Sequence, residues 1–386
     1  MSQTYHPLLS LKEGNWFKLI CGASFQHLPV VRSLTLAYTL AGADCIDVSA
    51  DPAVIAAAKS GIEAARKLLP EAKNRDFLAS SIPWLMVSLN DGEDPHFRKA
   101  EFNPNQCPTS CHRPCIQVCP TQAIQFSEIT AKESFSGVID QLCYGCGRCL
   151  PVCPSELIHA RSYVSTPGSI APLIQDLGID AIEIHTQVGN LANFKRLWQA
   201  ILPWCNHLKL LAISCQDAPG LIDYLQAIYQ LISPLPCPLI WQTDGRPMSG
   251  DLGKGTTRAT VKLAQKVLTA NLPGYVQLAG GTNQHTVAKL QAAQLIKNTS
   301  KPDSNFVSGI AYGSYARSLL HPILEHLDRP NRDLVSQTTN YATSVAYAPR
   351  ELEDFSQLLW QAVNQAHTLV SQIKLTTKSL LCQYNP

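Results

Sequence analysis

Two runs of four cysteines lie close together in the first half of the chain, and they constrain its folding more than any other feature. Together they hold eight of the 14 cysteines of this 386-residue sequence, and a proline follows the last cysteine of each run. The runs are Cys107-x3-Cys111-x3-Cys115-x3-Cys119-Pro120 and Cys143-x2-Cys146-x2-Cys149-x3-Cys153-Pro154. Thiols at this density are typical of a segment that wraps around a metal centre.

The second run matches the bacterial ferredoxin pattern at every position. In a two-cluster protein of that kind, each run gives three thiolates to one cluster and its last thiolate to the other. The spacing therefore predicts two ligand sets. They are Cys143, Cys146, Cys149 and Cys119 for a [4Fe–4S] cluster, and Cys107, Cys111, Cys115 and Cys153 for a second cluster. The first run has one extra residue in each of its first two gaps, which leaves open whether its cluster has four irons or three.

Zinc is the main alternative to iron and sulfide. Zinc ribbons pair two Cys-x2-Cys knuckles and do not carry three consecutive knuckles that end in Cys-Pro, so the pattern favours clusters. The first run would place its thiols on one face of a helix, but Pro108 and Pro114 disfavour a helix and predict a wrapping loop. In the second run, Gly145 and Gly147 are expected to let the backbone approach the sulfur atoms.

The remaining cysteines and the overall composition indicate a cytoplasmic protein. Six cysteines outside the runs are expected to be mostly buried apolar thiols in a reducing compartment. They are Cys21, Cys45, Cys205, Cys215, Cys237 and Cys382. The formal charge of +2 and the lack of a Lys/Arg run argue against a nucleic-acid partner. The lack of a secretory pattern and of an 18-residue apolar stretch argues against export and against a membrane span.

Outside the cysteine-rich segment, short apolar strands alternate with amphipathic helices. Eight such units predict a (β/α)8 barrel with a two-cluster ferredoxin-like domain inserted after the third strand. An open doubly wound sheet has the same alternation and is the alternative. The predicted strands are Phe17–Cys21, Cys45–Val48, Trp84–Leu89, Ala181–His185, Leu208–Ile213, Pro238–Gln242, Tyr275–Ala279 and Phe306–Ala311.

Local signals place several helix ends and suggest four segments. Gly42 is expected to close one helix in a left-handed conformation, and Asp51 is expected to cap the next. Further helices are predicted over Pro167–Leu177 and Thr286–Ile296. Residues 1–100 and 162–328 would form the barrel, 101–161 the ferredoxin-like domain, and 329–386 an extension with a helix that packs on the barrel.

The predicted C-terminal ends of the strands are polar, which is where barrel enzymes place their sites. The polar residues are Asp47, Asp51, Asn90, Asp91, Glu183, His185, Gln187, Gln242, Asp244, Arg246, Thr282, Asn283 and His285. The turns at Gly280-Gly281 and at Gly313 predict a phosphate cradle, which a flavin or a sugar phosphate would use. Asp244–Thr257 would form a lid. For His185 and His285, a solvated or hydrogen-bonded loop histidine is favoured over a catalytic one, and no catalytic residue is assigned.

The whole chain resembles the cyanobacterial light-dependent period (LdpA) family, which comprises iron–sulfur proteins linked to redox input of the circadian clock. The matching features are Trp16–Ser24, Gly42–Val48, the two cysteine runs in this order and the long C-terminal part. The resemblance implies two clusters, one of them of the [4Fe–4S] or [3Fe–4S] type, on the eight cysteines named above. It also implies signalling of the cellular redox state to a clock-input histidine kinase complex, with a redox carrier of the photosynthetic chain as a further partner.

Three functions are compatible with these features. The first is a regulatory redox sensor whose cluster charge alters a surface that partners recognise. The second is an oxidoreductase that passes single electrons from its clusters to a flavin or a small organic substrate at the barrel mouth. The third, an electron carrier with the barrel as a scaffold, has the least support.

Overall fold

A closed barrel of eight parallel strands forms the body of the molecule. The computed structural model describes residues 6–21, 27–79, 81–92, 98–119, 121–126, 136–140, 142–143, 145–162, 177–246, 255–297, 305–328 and 351–382. The barrel strands are β1 (Trp16–Ile20), β2 (Cys45–Ser49), β3 (Trp84–Asn90), β8 (Ala181–Thr186), β9 (Leu210–Gln216), β10 (Leu239–Asp244), β11 (Tyr275–Ala279) and β12 (Gly309–Tyr312). Their order around the barrel is β1-β12-β11-β10-β9-β8-β3-β2. The barrel prediction is therefore confirmed, and the open-sheet alternative is wrong.

Helices surround the barrel, as expected when each parallel strand must cross back to the next. They are α1 (Pro7–Lys12), α2 (Leu28–Ala41), α3 (Pro52–Asn74), α5 (Leu191–Ile201), α6 (Leu221–Ile232), α7 (Thr257–Thr269), α8 (Thr286–Ala292), α9 (Ser314–Asp328) and α10 (Ser356–Cys382). Gly42 ends α2 with a left-handed φ of 103°. The Asp51 carboxylate accepts hydrogen bonds from the backbone N–H groups of Ala53 and Val54 at the start of α3. Both predicted caps are confirmed.

The cysteine-rich segment lies between β3 and β8 in the sequence. These two strands are neighbours in the barrel and pair from Met86↔Ala181 onward. The segment contains an antiparallel ribbon of β4 (Arg98–Glu101) and β7 (His159–Ser162). It also contains a second ribbon of β5 (Ile124–Phe126) and β6 (Ser136–Val138), and the short helix α4 (Pro114–Val118). A small core of its own includes Phe102, Ile124 and Ile158, together with buried cysteines.

Some predicted boundaries were wrong. Strand β9 begins at Leu210 instead of Leu208, and β12 begins at Gly309 instead of Phe306. Helix α8 ends at Ala292, four residues before its predicted end, because Gln294 adopts a left-handed φ of 56°. The backbone N–H of Leu295 then donates to the carbonyl of Leu290. This is the 6→1 hydrogen bond of a Schellman motif, which ends many helices. Glutamine is uncommon at such a position, so the sequence did not indicate this end.

The C-terminal helix α10 packs on the barrel, as predicted. Leu359, Ala362, Ala366, Leu369 and Ile373 form its buried face, and the helix lies against α2. A buried ion pair fixes its far end, where Lys374 Nζ lies 2.6 Å from Asp44 Oδ1. Three predicted segments lie partly outside the described residues: residues 247–254 of the lid Asp244–Thr257, most of the helix Pro167–Leu177, and residues 329–350 of the tail.

Candidate iron–sulfur centre

The first cysteine run is mostly loop, as the two prolines predicted. A single turn of 3-10 helix, Pro104–Gln106, leads into Cys107. Pro114 then occupies the first turn of α4, where its missing N–H costs nothing. Only Cys115 lies in that helix, which ends immediately before Cys119. The thiols of this run therefore project from turns and do not form a stripe on one helix face.

The eight cysteines line two separate cavities. The inner cavity, with a volume of about 120 Å³, is lined by Cys119, Cys143, Cys146 and Cys149. The outer cavity, with a volume of about 10 Å³, is lined by Cys107, Cys111, Cys115 and Cys153. Each cavity thus receives three cysteines from one run and the last cysteine of the other. The two ligand sets predicted from the spacing, each with its last cysteine taken from the other run, require this grouping. Iron ligation by these thiols stays a prediction.

Backbone N–H groups point at several of the sulfur atoms. Ala100 donates to Cys143 Sγ at 3.3 Å and Ala123 donates to Cys119 Sγ at 3.2 Å. At the outer cavity, Arg113 donates to Cys111 Sγ at 3.4 Å. Such bonds stabilise negative charge on sulfur, and in iron–sulfur proteins they help to set the reduction potential.

The thiols influence one another electrostatically within each cavity. Burial raises the pKa of Cys149 to about 12, and the neighbouring Cys146 and Cys143 add to this rise. At Cys153, burial acts in the same direction, but backbone N–H groups of residues 155–158 lower the pKa of the thiol below its usual value. A cationic iron centre would remove the repulsion between these sulfur atoms, because coordinated thiols are bound as thiolates. The donor set therefore fits iron–sulfur clusters.

Gly145 has a packing role that the sequence did not predict. Its φ is +72°, and a Cβ atom there would lie 2.1 Å from the carbonyl oxygen of Arg98. The glycine thus allows the second run to pack directly on the ribbon strand β4, and an approach of its backbone to sulfur stays a prediction. Gly147 also has a left-handed φ, of 74°.

The other cysteines are not grouped. Cys21, Cys45, Cys205 and Cys215 are buried and Cys237 is half-buried, as expected for structural thiols; the side chain of Cys382 lies outside the described part. Within the described ranges, no three His, Cys, Asp or Glu side chains lie close enough to hold a single metal ion. In the same ranges, no helix is both long and apolar enough to cross a membrane.

A buried charged network fills the middle of the barrel lumen. Lys18 projects inward from β1 and is fully buried, with its Nζ 3.1 Å from Asp47 Oδ2 and in contact with Glu183 Oε2. The other Asp47 oxygen accepts a hydrogen bond from Ser88 Oγ at 2.7 Å. Barrel lumens are usually filled by Val, Ile and Leu, so three buried charges here are unusual.

Amide and imidazole groups complete this network. His185 Nε2 lies 2.9 Å from Glu183 Oε1, which also accepts a bond from Gln242 Nε2 at 2.6 Å. Gln277 Nε2 donates to Gln242 Oε1 at 2.5 Å, and Trp16 Nε1 donates to Gln277 Oε1 at 2.6 Å. A continuous chain of hydrogen bonds therefore links His185 to the centre of the lumen.

The charges in this network shift one another's protonation. Burial raises the pKa of Asp47 to about 6, despite the opposing attraction of Lys18. Burial would also raise the pKa of Glu183, but Lys18 and the hydrogen bond from His185 lower it to about 2. Lys18 itself stays protonated, because its attraction to the two carboxylates outweighs its burial and raises its pKa.

The remaining predicted mouth residues have varied positions. Asp51 caps α3 and His285 precedes α8, where its backbone N–H bonds to Asn283. The Asp91 carboxylate accepts a hydrogen bond from Thr186 at 2.5 Å. The other groups make local bonds: Asn90 to the carbonyl of Gly92, Thr282 to the carbonyl of Ala311, and Gln187 with Gln216.

The Gly280-Gly281 turn packs against protein groups. A Cβ atom on Gly280 would overlap the Asp244 carboxylate, and one on Gly281 would lie 3.0 Å from Arg246 Cγ. Both glycines have left-handed φ angles, of 61° and 88°. The turn therefore faces both the Asp244 carboxylate and the Arg246 side chain, and a phosphate at this turn stays a prediction. Gly313 packs loosely on Ile20, and a flavin or phosphate there stays a prediction.

The fold and the two cysteine cavities define the class of the protein. Residues 107–164 match a family model described as the LdpA Fe-S cluster-binding domain. The chain is therefore an iron–sulfur protein built on a (β/α)8 barrel. The division into four segments at residues 100, 161 and 328 stays a prediction.

The family follows from two further matches. Residues 173–372 match the model of the Light dependent period A C-terminal domain. A protein of Synechococcus elongatus named Light dependent period A is 49% identical over 368 residues, which cover 95% of this chain and 94% of that protein. The chain belongs to the light dependent period A family.

Proposed function

We propose that this protein is a cytoplasmic redox sensor whose two iron–sulfur clusters relay the redox state of the cell to the input of the circadian clock. The main supporting observation is the separation of the eight cysteines into two four-cysteine cavities in a chain of this family. The inner cavity would hold a [4Fe–4S] cluster, and the outer cavity a [4Fe–4S] or [3Fe–4S] cluster.

Signalling would begin with electron transfer to the clusters. When bound, the clusters supply a one-electron change of charge next to the ribbon β4–β7. The residues of this chain hold them: thiolates bind iron, and Ala100 and Ala123 stabilise sulfur through their N–H groups. A redox carrier of the photosynthetic chain would deliver the electron, and a clock-input histidine kinase complex would recognise the altered surface.

The experiment compares cluster loss with loss of an ordinary buried thiol. The wild-type protein and the variants Cys146→Ser and Cys205→Ser are expressed in a cyanobacterium whose own gene for this protein has been deleted. The period of its circadian rhythm is then measured at several light intensities. Cys205 is 3% exposed and lies outside both cavities, so its variant is the matched control. Cys146→Ser is expected to behave as a deletion and Cys205→Ser as wild type. A normal light-dependent period in Cys146→Ser would overturn the proposal.

The lumen network favours a second candidate function, an oxidoreductase that uses the barrel mouth. Buried charges linked to a histidine near the C-terminal end of a barrel strand are often found in active sites. In that case the clusters would pass electrons to a small acceptor, and His185 would exchange protons with it. Anaerobic purification followed by organic extraction separates the two functions. A stoichiometric flavin or other organic acceptor would favour the enzyme, and its absence would favour the sensor.

A further inference from the structure

The two cavities lie at different places along the ribbon β4–β7. Arg98, Lys99, Ala100 and Ala160 line the inner cavity, and Arg98 pairs with Ser162, the last residue of β7. The outer cavity is lined by Phe102 and residues 157–158, just beyond the end of the ribbon where Glu101 pairs with His159. The inner cavity therefore lies along the ribbon itself, and the outer cavity lies beyond one end of it.

The walls of the two cavities also differ in charge. Lys99 lines the inner cavity and is only 3% exposed. Its Nζ lies 2.8 Å from the carbonyl oxygen of Asp140 and 2.6 Å from its Oδ2 atom. The Asp140 carboxylate is half exposed, so water screens it far better than it screens the buried ammonium group. None of the described residues that line the outer cavity is charged; the Arg113 guanidinium stacks on Phe126, which is part of that lining.

A buried positive charge stabilises the reduced form of a nearby cluster, because reduction adds negative charge. Burial of the sulfur atoms acts in the opposite direction and is greater at the inner cavity. Cys143 and Cys149 are buried at the inner one, Cys115 is buried at the outer one, and the rest are half-buried. Backbone N–H donors are present at both. The positive wall of the inner cavity, where Arg98 stands beside the buried Lys99, opposes this effect of burial.

We propose that Lys99 gives the inner cluster a higher reduction potential than the outer cluster, so that an electron entering at the outer cluster comes to rest at the inner one. This inference depends on the proposed function, since it assumes a cluster in each cavity. An external one-electron donor reduces the outer cluster, which returns to its oxidised form as it reduces the inner one. The net change is one electron moved from the donor to the inner cluster, with no bond formed or broken.

The experiment is an anaerobic redox titration of the full chain followed by electron paramagnetic resonance. Cys146→Ser and Cys111→Ser assign the signals, because each removes a ligand from one cavity only. In the wild type, the inner cluster is expected to be reduced first. Lys99→Met should make its reduction at least tenfold less favourable, a fall of about 59 mV for one electron, and should leave the outer cluster unchanged.

Arg161→Gln is the matched control. Arg161 pairs with the same carboxylate, at 3.0 Å from Asp140 Oδ1, but it is 54% exposed, so its loss should shift neither cluster. Asp140→Asn tests the proposal from the other side and should raise the inner potential, which is informative even if Lys99→Met folds poorly. Reduction of the outer cluster first, or equal shifts in Lys99→Met and Arg161→Gln, would overturn the inference. A wild-type protein without any cluster signal would instead overturn the proposed function.

Discussion

Removal of Lys18 from the barrel lumen should destabilise the protein strongly and in a pH-dependent way. Lys18→Met retains a side chain of similar length but leaves the Asp47 and Glu183 carboxylates without their cation. The wild-type fall of the Glu183 pKa from 4.5 to about 2 corresponds to about 3 kcal/mol. Removing one partner of a buried ion pair typically costs about 3–5 kcal/mol. We therefore expect a loss of about 3–5 kcal/mol at pH 8.

Thermal unfolding measured by circular dichroism provides the assay. At about 2 °C per kcal/mol for a protein of this size, the midpoint should fall by about 6–10 °C at pH 8. Without Lys18, the folded-state pKa of Glu183 rises above its unfolded value, and that of Asp47, which is already above it in the wild type, rises further. The folded variant is then most stable below those unfolded values and loses stability as the pH rises. The deficit should therefore be much smaller at pH 5 than at pH 8.

A double variant controls for simple loss of packing. Lys18→Met combined with Glu183→Gln removes one uncompensated charge and should recover part of the midpoint at pH 8. If the packing of the lysine stem were the main contribution, the double variant would be no more stable than the single one. An equal deficit at pH 5 and pH 8 would likewise refute the electrostatic account.

Two other substitutions test separate parts of the structure. Gly145→Ala places a Cβ against a backbone carbonyl of β4 and at a left-handed φ, so it should lower the iron content per chain. Gly255→Ala, which meets nothing within 4 Å, should not. Lys374→Met leaves Asp44 buried without its cation and should lower the unfolding midpoint by an amount similar to Lys18→Met. Arg66→Gln, which removes the exposed ion pair between Arg66 and Glu63, should lower the free energy of unfolding by less than about 1 kcal/mol.

The sequence predicted the features that depend on local spacing. The order of strands and helices was sufficient for the barrel, because a parallel strand needs a crossover helix of recognisable length. The crossed grouping of the cysteines in the cavities follows from the Cys-x2-Cys-x2-Cys-x3-Cys-Pro spacing, which limits how far each thiol can be from its neighbours. Asp51 caps the start of α3 and Gly42 ends α2, as their conformational preferences indicated.

The sequence did not reveal features that depend on contacts between distant residues. Lys18 lies in the apolar run Phe17–Ile20, so it belonged to a predicted buried strand and had no assigned role. Its partners Glu183 and Asp47 are on other strands, and only barrel closure brings the three together. One signal was available: these residues share the strand face that points into the lumen. Likewise, the packing of Asp244 on Gly280 could not be predicted from the glycine turn alone.

The most direct test of the central claim is the content of iron and acid-labile sulfide in the anaerobically purified chain, measured for wild type and for Cys146→Ser. The account predicts iron and sulfide in the wild type at levels that require two clusters. It predicts that Cys146→Ser loses about half of both, because the inner cavity loses a ligand while the outer cavity keeps its four cysteines. Zinc in place of iron, or an unchanged iron content in Cys146→Ser, would contradict it.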